Sequence, residues 1–107
     1  MNYYILTIKE TEYKLKLTTR NIVALEKDIG KNPIFLFSNQ ANKNLPTIEE
    51  MVKVLYHSLR SQHEDITFEG AYDILDSWLE DGHIISEFPA VITEIFLLSG
   101  IFKKGKN

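Results

Sequence analysis

The chain has no cysteine and no long apolar run, and each absence excludes a class of protein. Without cysteine, it has no disulfide framework, no thiol nucleophile and no thiolate metal site. No apolar run approaches the roughly 18 residues of a membrane-spanning helix. The first residues, MNYYILTIKE, lack the basic start and the apolar run of a signal peptide. We therefore expect an intracellular soluble protein with no membrane partner.

Basic residues form one cluster, Lys103, Lys104 and Lys106, at the C-terminal end. The net charge is −3 and the pI is about 5.6. Because phosphate neutralisation supplies most of the affinity of a nucleic-acid binder, this balance argues against nucleic acid as a partner. The 107 residues are 44% hydrophobic and 25% charged, which is typical of one globular domain. We predict a single domain over residues 1–102 and a flexible basic tail over 103–107.

Residues 3–17 alternate between apolar and polar side chains, which predicts a β-hairpin. Pairing Lys9 with Glu12 across a turn at Glu10 and Thr11 places all six apolar residues on one side. These six are Tyr4, Leu6, Ile8, Tyr13, Leu15 and Leu17. Because two strands alone are marginal in water, a helix or another chain must cover this face. The edges of the two strands are also able to pair with a partner.

Four stretches with helical periodicity follow the hairpin, at about residues 19–29, 48–62, 68–81 and 87–99. The fold class is therefore α+β, an N-terminal β-hairpin followed by a small bundle of four main α-helices. Pro89 fits the first turn of the last helix. The predicted N-caps are Thr18 or Thr19, Thr47 in a capping box with Glu50, and Thr67, and the predicted C-caps are Gly30, Gly82 and Gly100.

The last helix has more apolar surface than a small domain needs. With Phe88 at 0°, Val91, Ile92 and Ile95 lie within about 60° of one direction, as a core-facing stripe does. Apolar residues also lie on the other sides, so this is either the central helix of the bundle or a helix that docks against a second protein. Trp78, with Ile74 beside it, is either an interaction hot spot or a large core residue. The predicted interaction residues are Phe96, Leu97, Leu98, Ile101, Phe102, Trp78 and Ile74.

The histidine and acidic residues, which could carry catalysis or bind a metal, do not cluster on one face of a predicted helix. On the second helix, Ile48 belongs to the apolar stripe that we expect to be buried. His57 lies about 180° from Ile48, so we expect His57 in solvent. His63 and His83 fall near helix ends, and no two histidines share a helical face, so we predict no metal site. The pairs of acidic residues fit helix starts and connections, and no nucleophile or phosphate motif is present. We therefore expect no enzyme activity and no cofactor.

The segments that carry a family likeness run from the second strand to the third helix. They are YKLKLTTR at 13–20, LEKDIGKNP at 25–33, LPTIEE at 45–50, LYHSL at 55–59, ITFE at 66–69 and YDILD at 72–76. Their order resembles the tail assembly chaperones of long-tailed phages and prophages of Gram-positive bacteria. The resemblance covers roughly residues 10–100, and its motifs are structural rather than catalytic.

This resemblance implies a non-enzymatic assembly factor in the host bacterial cytoplasm that is absent from the mature virion. Such a chaperone binds the tape measure protein through hydrophobic association and keeps it soluble until tail tube subunits polymerise. It implies self-association into a homo-oligomer, with the tail tube protein as a further candidate partner.

The sequence is compatible with two other functions. One is a structural head–tail connector or tail completion protein, which stays in the virion. The other is a small regulator that binds nucleic acid through one of its helices, against which the acidic balance argues.

Overall fold

The computed structural model describes residues 2–33 and 45–101. In these ranges, β1 (Tyr4–Ile8) and β2 (Thr11–Leu15) form an antiparallel hairpin, and four α-helices follow it. The helices are α1 (Thr19–Ile29), α2 (Ile48–Leu59), α3 (Phe68–Glu80) and α4 (Phe88–Ser99), with a 3-10 turn at Ile85–Glu87 before α4. The predicted α+β fold, a hairpin followed by a small helical bundle, is confirmed. Phe102 and the predicted tail at 103–107 lie outside the described residues.

The hairpin forms where we predicted it, but the predicted register is wrong by two residues. Ile8 pairs with Thr11 and Leu6 with Tyr13, so the turn is Lys9 and Glu10. Lys9 adopts a positive φ of 56°, and its N–H donates to the Asp81 carboxylate at 3.1 Å. Because side chains alternate with a period of two, a shift of two residues leaves every apolar residue on the predicted face.

The helix ends follow the local chemistry of the sequence. Thr18, not Thr19, caps α1, because the Thr18 hydroxyl accepts the Asn21 N–H at 3.1 Å. The predicted capping box of α2 is present: the Thr47 hydroxyl accepts the Glu50 N–H at 3.1 Å, and the Glu50 carboxylate accepts the Thr47 N–H at 2.9 Å. Thr67 caps α3 without a capping box, because its hydroxyl accepts the Gly70 N–H at 2.9 Å. Gly30 and Gly100 end α1 and α4 with positive φ, a backbone conformation that glycine adopts without steric cost. The predicted C-cap of the third helix is wrong by one residue, because Asp81 is the C-cap of α3 and Gly82 follows it.

Helix α2 is the central element of the fold, because it packs against α1, α3, α4 and β2. Seven of its residues are buried: Met51, Val52, Val54, Leu55, His57, Ser58 and Leu59. Residues of the hairpin and of all four helices join one hydrophobic cluster around it. Helix α4 is therefore not the central helix and covers one side of α2.

Two details of the predicted second helix are wrong. Ile48 is 56% exposed, although its angle on the helix matches that of the buried stripe, because it lies in the first turn and beyond the end of the core. The helix ends at Leu59 rather than near residue 62. There Ser58 and Ser61 bond to the backbone of Lys16, which ties the end of the helix to the chain leaving β2.

Within the described residues, no single helix has both the length and the apolar character needed to span a membrane. Helices Phe68–Glu80 and Ile85–Ser99 meet such a criterion only when they are taken together, and the pair is bent by 107°.

Candidate interaction surface

The C-terminal end of α4 carries apolar side chains that the core does not enclose. Phe88, Val91, Ile92 and Ile95 are buried, which confirms the predicted core-facing stripe. Leu97 and Leu98 are only half-buried, and Ile101, just past the Gly100 cap, is 42% exposed. We call Leu97, Leu98 and Ile101 the α4 apolar end.

Three other predicted interaction residues are in the core. Phe96 is 1%, Trp78 is 3% and Ile74 is 9% exposed. Of the two interpretations of Trp78, the structure places this residue in the core. None of the three side chains presents appreciable surface to a partner in this conformation, so the α4 apolar end is what remains of the predicted set within the described residues.

Trp78 is held by two aromatic neighbours. The His83 ring stacks on the indole with a centroid distance of 4.3 Å and an interplanar angle of 1°. Phe88 meets the same indole edge-to-face at 5.3 Å, the arrangement that aromatic quadrupoles favour. Because His83 follows α3 and Phe88 begins α4, these contacts fix the junction between the two helices.

A line of polar contacts joins α1 to α2 on the side of α2 that we predicted to face solvent. The His57 Nε2 lies 2.9 Å from the Asp28 carboxylate, and the His57 Nδ1 lies 3.0 Å from the Arg60 guanidinium. Because a guanidinium only donates, Nδ1 accepts this bond, and Nε2 carries the proton that His57 donates to Asp28. The Lys53 ammonium reaches Asp28 as well, at 3.3 Å. We call these four residues the α1–α2 polar seam.

The predicted exposure of His57 is therefore wrong, since the residue is 4% exposed. The angle of His57 on its helix is as predicted, but α1 covers that side. Glu49, Lys53 and His57 follow one another at intervals of four residues, with Arg60 three residues further on. This polar stripe, together with Asp28 on another helix, indicates polar contacts between the two helices. The periodicity of one helix considered alone does not reveal such contacts.

The seam shifts the pKa of both central groups. Burial lowers the pKa of His57 and outweighs the hydrogen bond and the charge of Asp28, which raise it, while Arg60 and Lys53 lower it further. Burial raises the pKa of Asp28, but the hydrogen bonds from His57 and Lys53 and their positive charges outweigh it, so this pKa is lowered. The seam therefore favours a neutral His57 between an ionised Asp28 and the Arg60 cation.

This arrangement suits a structural role better than proton transfer. Both ring nitrogens of His57 are occupied by protein partners, and a general base needs one free nitrogen within reach of a substrate. His57 also leaves no polar atom of its ring unpaired in the low-dielectric interior. The functional consequence of the seam is the fixed position of α1 on α2.

A cleft of about 360 Å³ lies between β2 and the connection from α2 to α3. It is lined by Tyr13, Leu59, His63, Glu64, Asp65, Ile66 and Ile74. The buried His63 Nε2 has no hydrogen-bond partner among the described residues, and its ring lies 6.0 Å from that of Tyr13. Among all the residues that the structure describes, no three histidine, aspartate or glutamate residues form a group that could hold a metal ion.

Comparison with known proteins gives a family but no function. A search of curated proteins and a search of solved structures each found no match. A family model described as a family of unknown function, DUF6096, matches residues 4–107. The match includes the hairpin and all four helices, and the chain belongs to the DUF6096 family.

Proposed function

We propose that this protein is a non-enzymatic tail assembly chaperone that binds the tape measure protein and keeps it soluble before the tail tube polymerises. The observation that carries the proposal is the α4 apolar end, because Leu97 and Leu98 are only half-buried and Ile101 is exposed. The likeness of segments between residues 10 and 100 to phage tail assembly chaperones supplies the identity of the client.

The chemistry of this surface suits a displaceable chaperone. Leucine and isoleucine side chains bury apolar area without directional bonds, so the surface accepts different segments of a long client. The acidic Glu94 is exposed one turn before Leu97, and a charge at the rim limits self-aggregation of the free protein. A client helix with an apolar stripe fits such a patch, and the growing tail tube displaces it by covering the same stripe.

Co-expression with the tape measure protein of the same tail gene cluster tests this function. We expect the tape measure protein to become soluble and to co-purify with the chain. An insoluble client beside abundant soluble partner contradicts the proposal. Purified virions add a second readout, because a chaperone is absent from them by mass spectrometry, whereas a head–tail connector or tail completion protein is present in a fixed number.

Two matched variants locate the client surface. Ile101 and Val23 are 42% and 47% exposed, so replacing either by aspartate leaves the core intact. We expect Ile101→Asp to lose the client and Val23→Asp to retain it, with unchanged thermal unfolding in both. Equal loss in both variants, or in neither, excludes the α4 apolar end as the client surface.

A further inference from the structure

The charged residues of β2 face no opposite charge within the hairpin. The register places Glu12 opposite Thr7 and Lys14 opposite Ile5. Both charged residues are exposed, and no ion pair among the described residues includes either of them. The Lys14 ammonium lies 5.1 Å from the centroid of the Tyr3 ring.

The backbone of these two residues points away from β1. In an antiparallel pair joined by a two-residue turn, the residues that flank the turn exchange hydrogen bonds, and so does every second residue after them. Thr11, Tyr13 and Leu15 therefore bond to β1, and the N–H and C=O groups of Glu12 and Lys14 point to the outer edge of β2. No other described element bonds to these groups.

The open edge is short and has defined ends. At one end the Lys16 N–H donates to the Ser58 carbonyl at 2.8 Å, and the Lys16 carbonyl accepts the Ser61 hydroxyl at 3.0 Å. At the other end Glu10 lies in the turn that leads back to β1. The free backbone groups are therefore those of Glu12 and Lys14, and we call residues 12–14 the β2 edge.

We propose that the β2 edge pairs with the β2 edge of a second copy of this chain, antiparallel and about a two-fold axis at Tyr13. In this register Glu12 lies beside Lys14 of the second copy, and Lys14 lies beside its Glu12. Both side-chain pairs join opposite charges, and the two residue pairs exchange four backbone hydrogen bonds. The segment Glu12, Tyr13, Lys14 is therefore complementary in charge to a second, antiparallel copy of itself.

The charges also select this register over its neighbours. A two-fold axis at Glu12 or at Lys14 places two like charges side by side, which is unfavourable across a strand pair. An axis at Lys14 further requires the Lys16 backbone, which α2 already occupies. The proposed dimer contact does not involve the client surface on α4. An experiment that excludes the dimer therefore does not exclude client binding, and the reverse also holds.

Charge reversal gives a test with built-in controls. Glu12→Lys alone places lysine at both positions, and Lys14→Glu alone places glutamate at both. Each variant therefore repels itself, whereas a mixture of the two pairs lysine with glutamate at both sites. The double variant Glu12→Lys/Lys14→Glu is again its own complement.

Sedimentation velocity at low salt, over a concentration series of the full chain, measures the outcome. We expect the wild type, the mixture and the double variant to dimerise with dissociation constants within about threefold of one another, and each single variant to dimerise at least about tenfold more weakly. Circular dichroism checks that the fold is retained at these exposed positions. A monomeric wild type overturns the proposal, and so does a dimer whose dissociation constant is unchanged in both single variants.

Discussion

The imidazole of His57 lies between the Asp28 carboxylate, 2.9 Å from Nε2, and the Arg60 guanidinium, 3.0 Å from Nδ1. A neutral ring is the one form that donates to Asp28 and accepts from Arg60 at the same time. Protonation of Nδ1 removes the acceptor for Arg60 and places two positive charges together. The seam between α1 and α2 is therefore sensitive to pH.

Stability is expected to fall on acidification below the ordinary histidine pKa of 6.5. Burial lowers the pKa of His57 in the folded state, so below 6.5 the unfolded state binds more protons than the folded state. The free energy of unfolding therefore rises with pH through the window between the folded and unfolded pKa values and levels off above it.

Urea unfolding at a series of pH values between about 5 and 7.5 measures this slope. His57→Leu should lose the slope and cost about 1–3 kcal/mol at neutral pH, because Asp28 and Arg60 lose their buried partner. His63→Gln is the control and should keep the slope. A His57→Leu protein with the wild-type pH dependence contradicts the assignment.

The cap of α1 is expected to distinguish two neighbouring threonines. Thr18→Ala should lower the free energy of unfolding by about 1 kcal/mol, because the Thr18 hydroxyl accepts the Asn21 N–H. Thr19→Ala should change it by less than about 0.5 kcal/mol, since Thr19 is exposed and forms no cap. Chemical denaturation of both variants measures the difference, and equal costs would show that the cap is misassigned.

Two residues on the same angular stripe of α2 are expected to differ in their contribution to stability. Leu55 is fully buried, whereas Ile48 is 56% exposed. Leu55→Ala should cost about 2–5 kcal/mol, because it removes core contacts and leaves a cavity. Ile48→Ala should stay within about 0.5 kcal/mol of wild type. Thermal unfolding measures both variants. A larger decrease in melting temperature for Ile48→Ala than for Leu55→Ala would show that α2 packs through its first turn.

The emission of Trp78, the one tryptophan in the chain, is expected to report on His83. The two rings stack at 4.3 Å, so the imidazole covers one face of the indole and keeps solvent away from it. His83→Ala should therefore shift the emission maximum of Trp78 to longer wavelength. His63→Gln is the control and should leave the emission unchanged. An unchanged spectrum in His83→Ala would mean that the stack does not persist in solution.

Much of the fold follows from chemistry within a few residues of the chain. The threonine caps, the Gly30 and Gly100 ends and the alternating hairpin depend on local hydrogen bonding and on side-chain periodicity, which the sequence displays directly. The register of the hairpin does not, because Lys9 in its turn bonds to Asp81, which is distant in the chain. Periodicity specifies which face of a strand is apolar. It does not distinguish two registers that differ by two residues, because both place the same side chains on that face.

The sequence by itself determined which elements form, where the helices begin and which stripe of each helix is apolar. Only the tertiary structure decided that α2 is central, that α1 covers His57 and that Trp78 lies in the core. A helical pattern gives the angle of a side chain around its own axis, whereas burial depends on which neighbour covers that side and how far along the axis it extends. For the same reason, the sequence named seven apolar residues as an interaction surface, and the packing of α3 and α4 enclosed Phe96, Trp78 and Ile74.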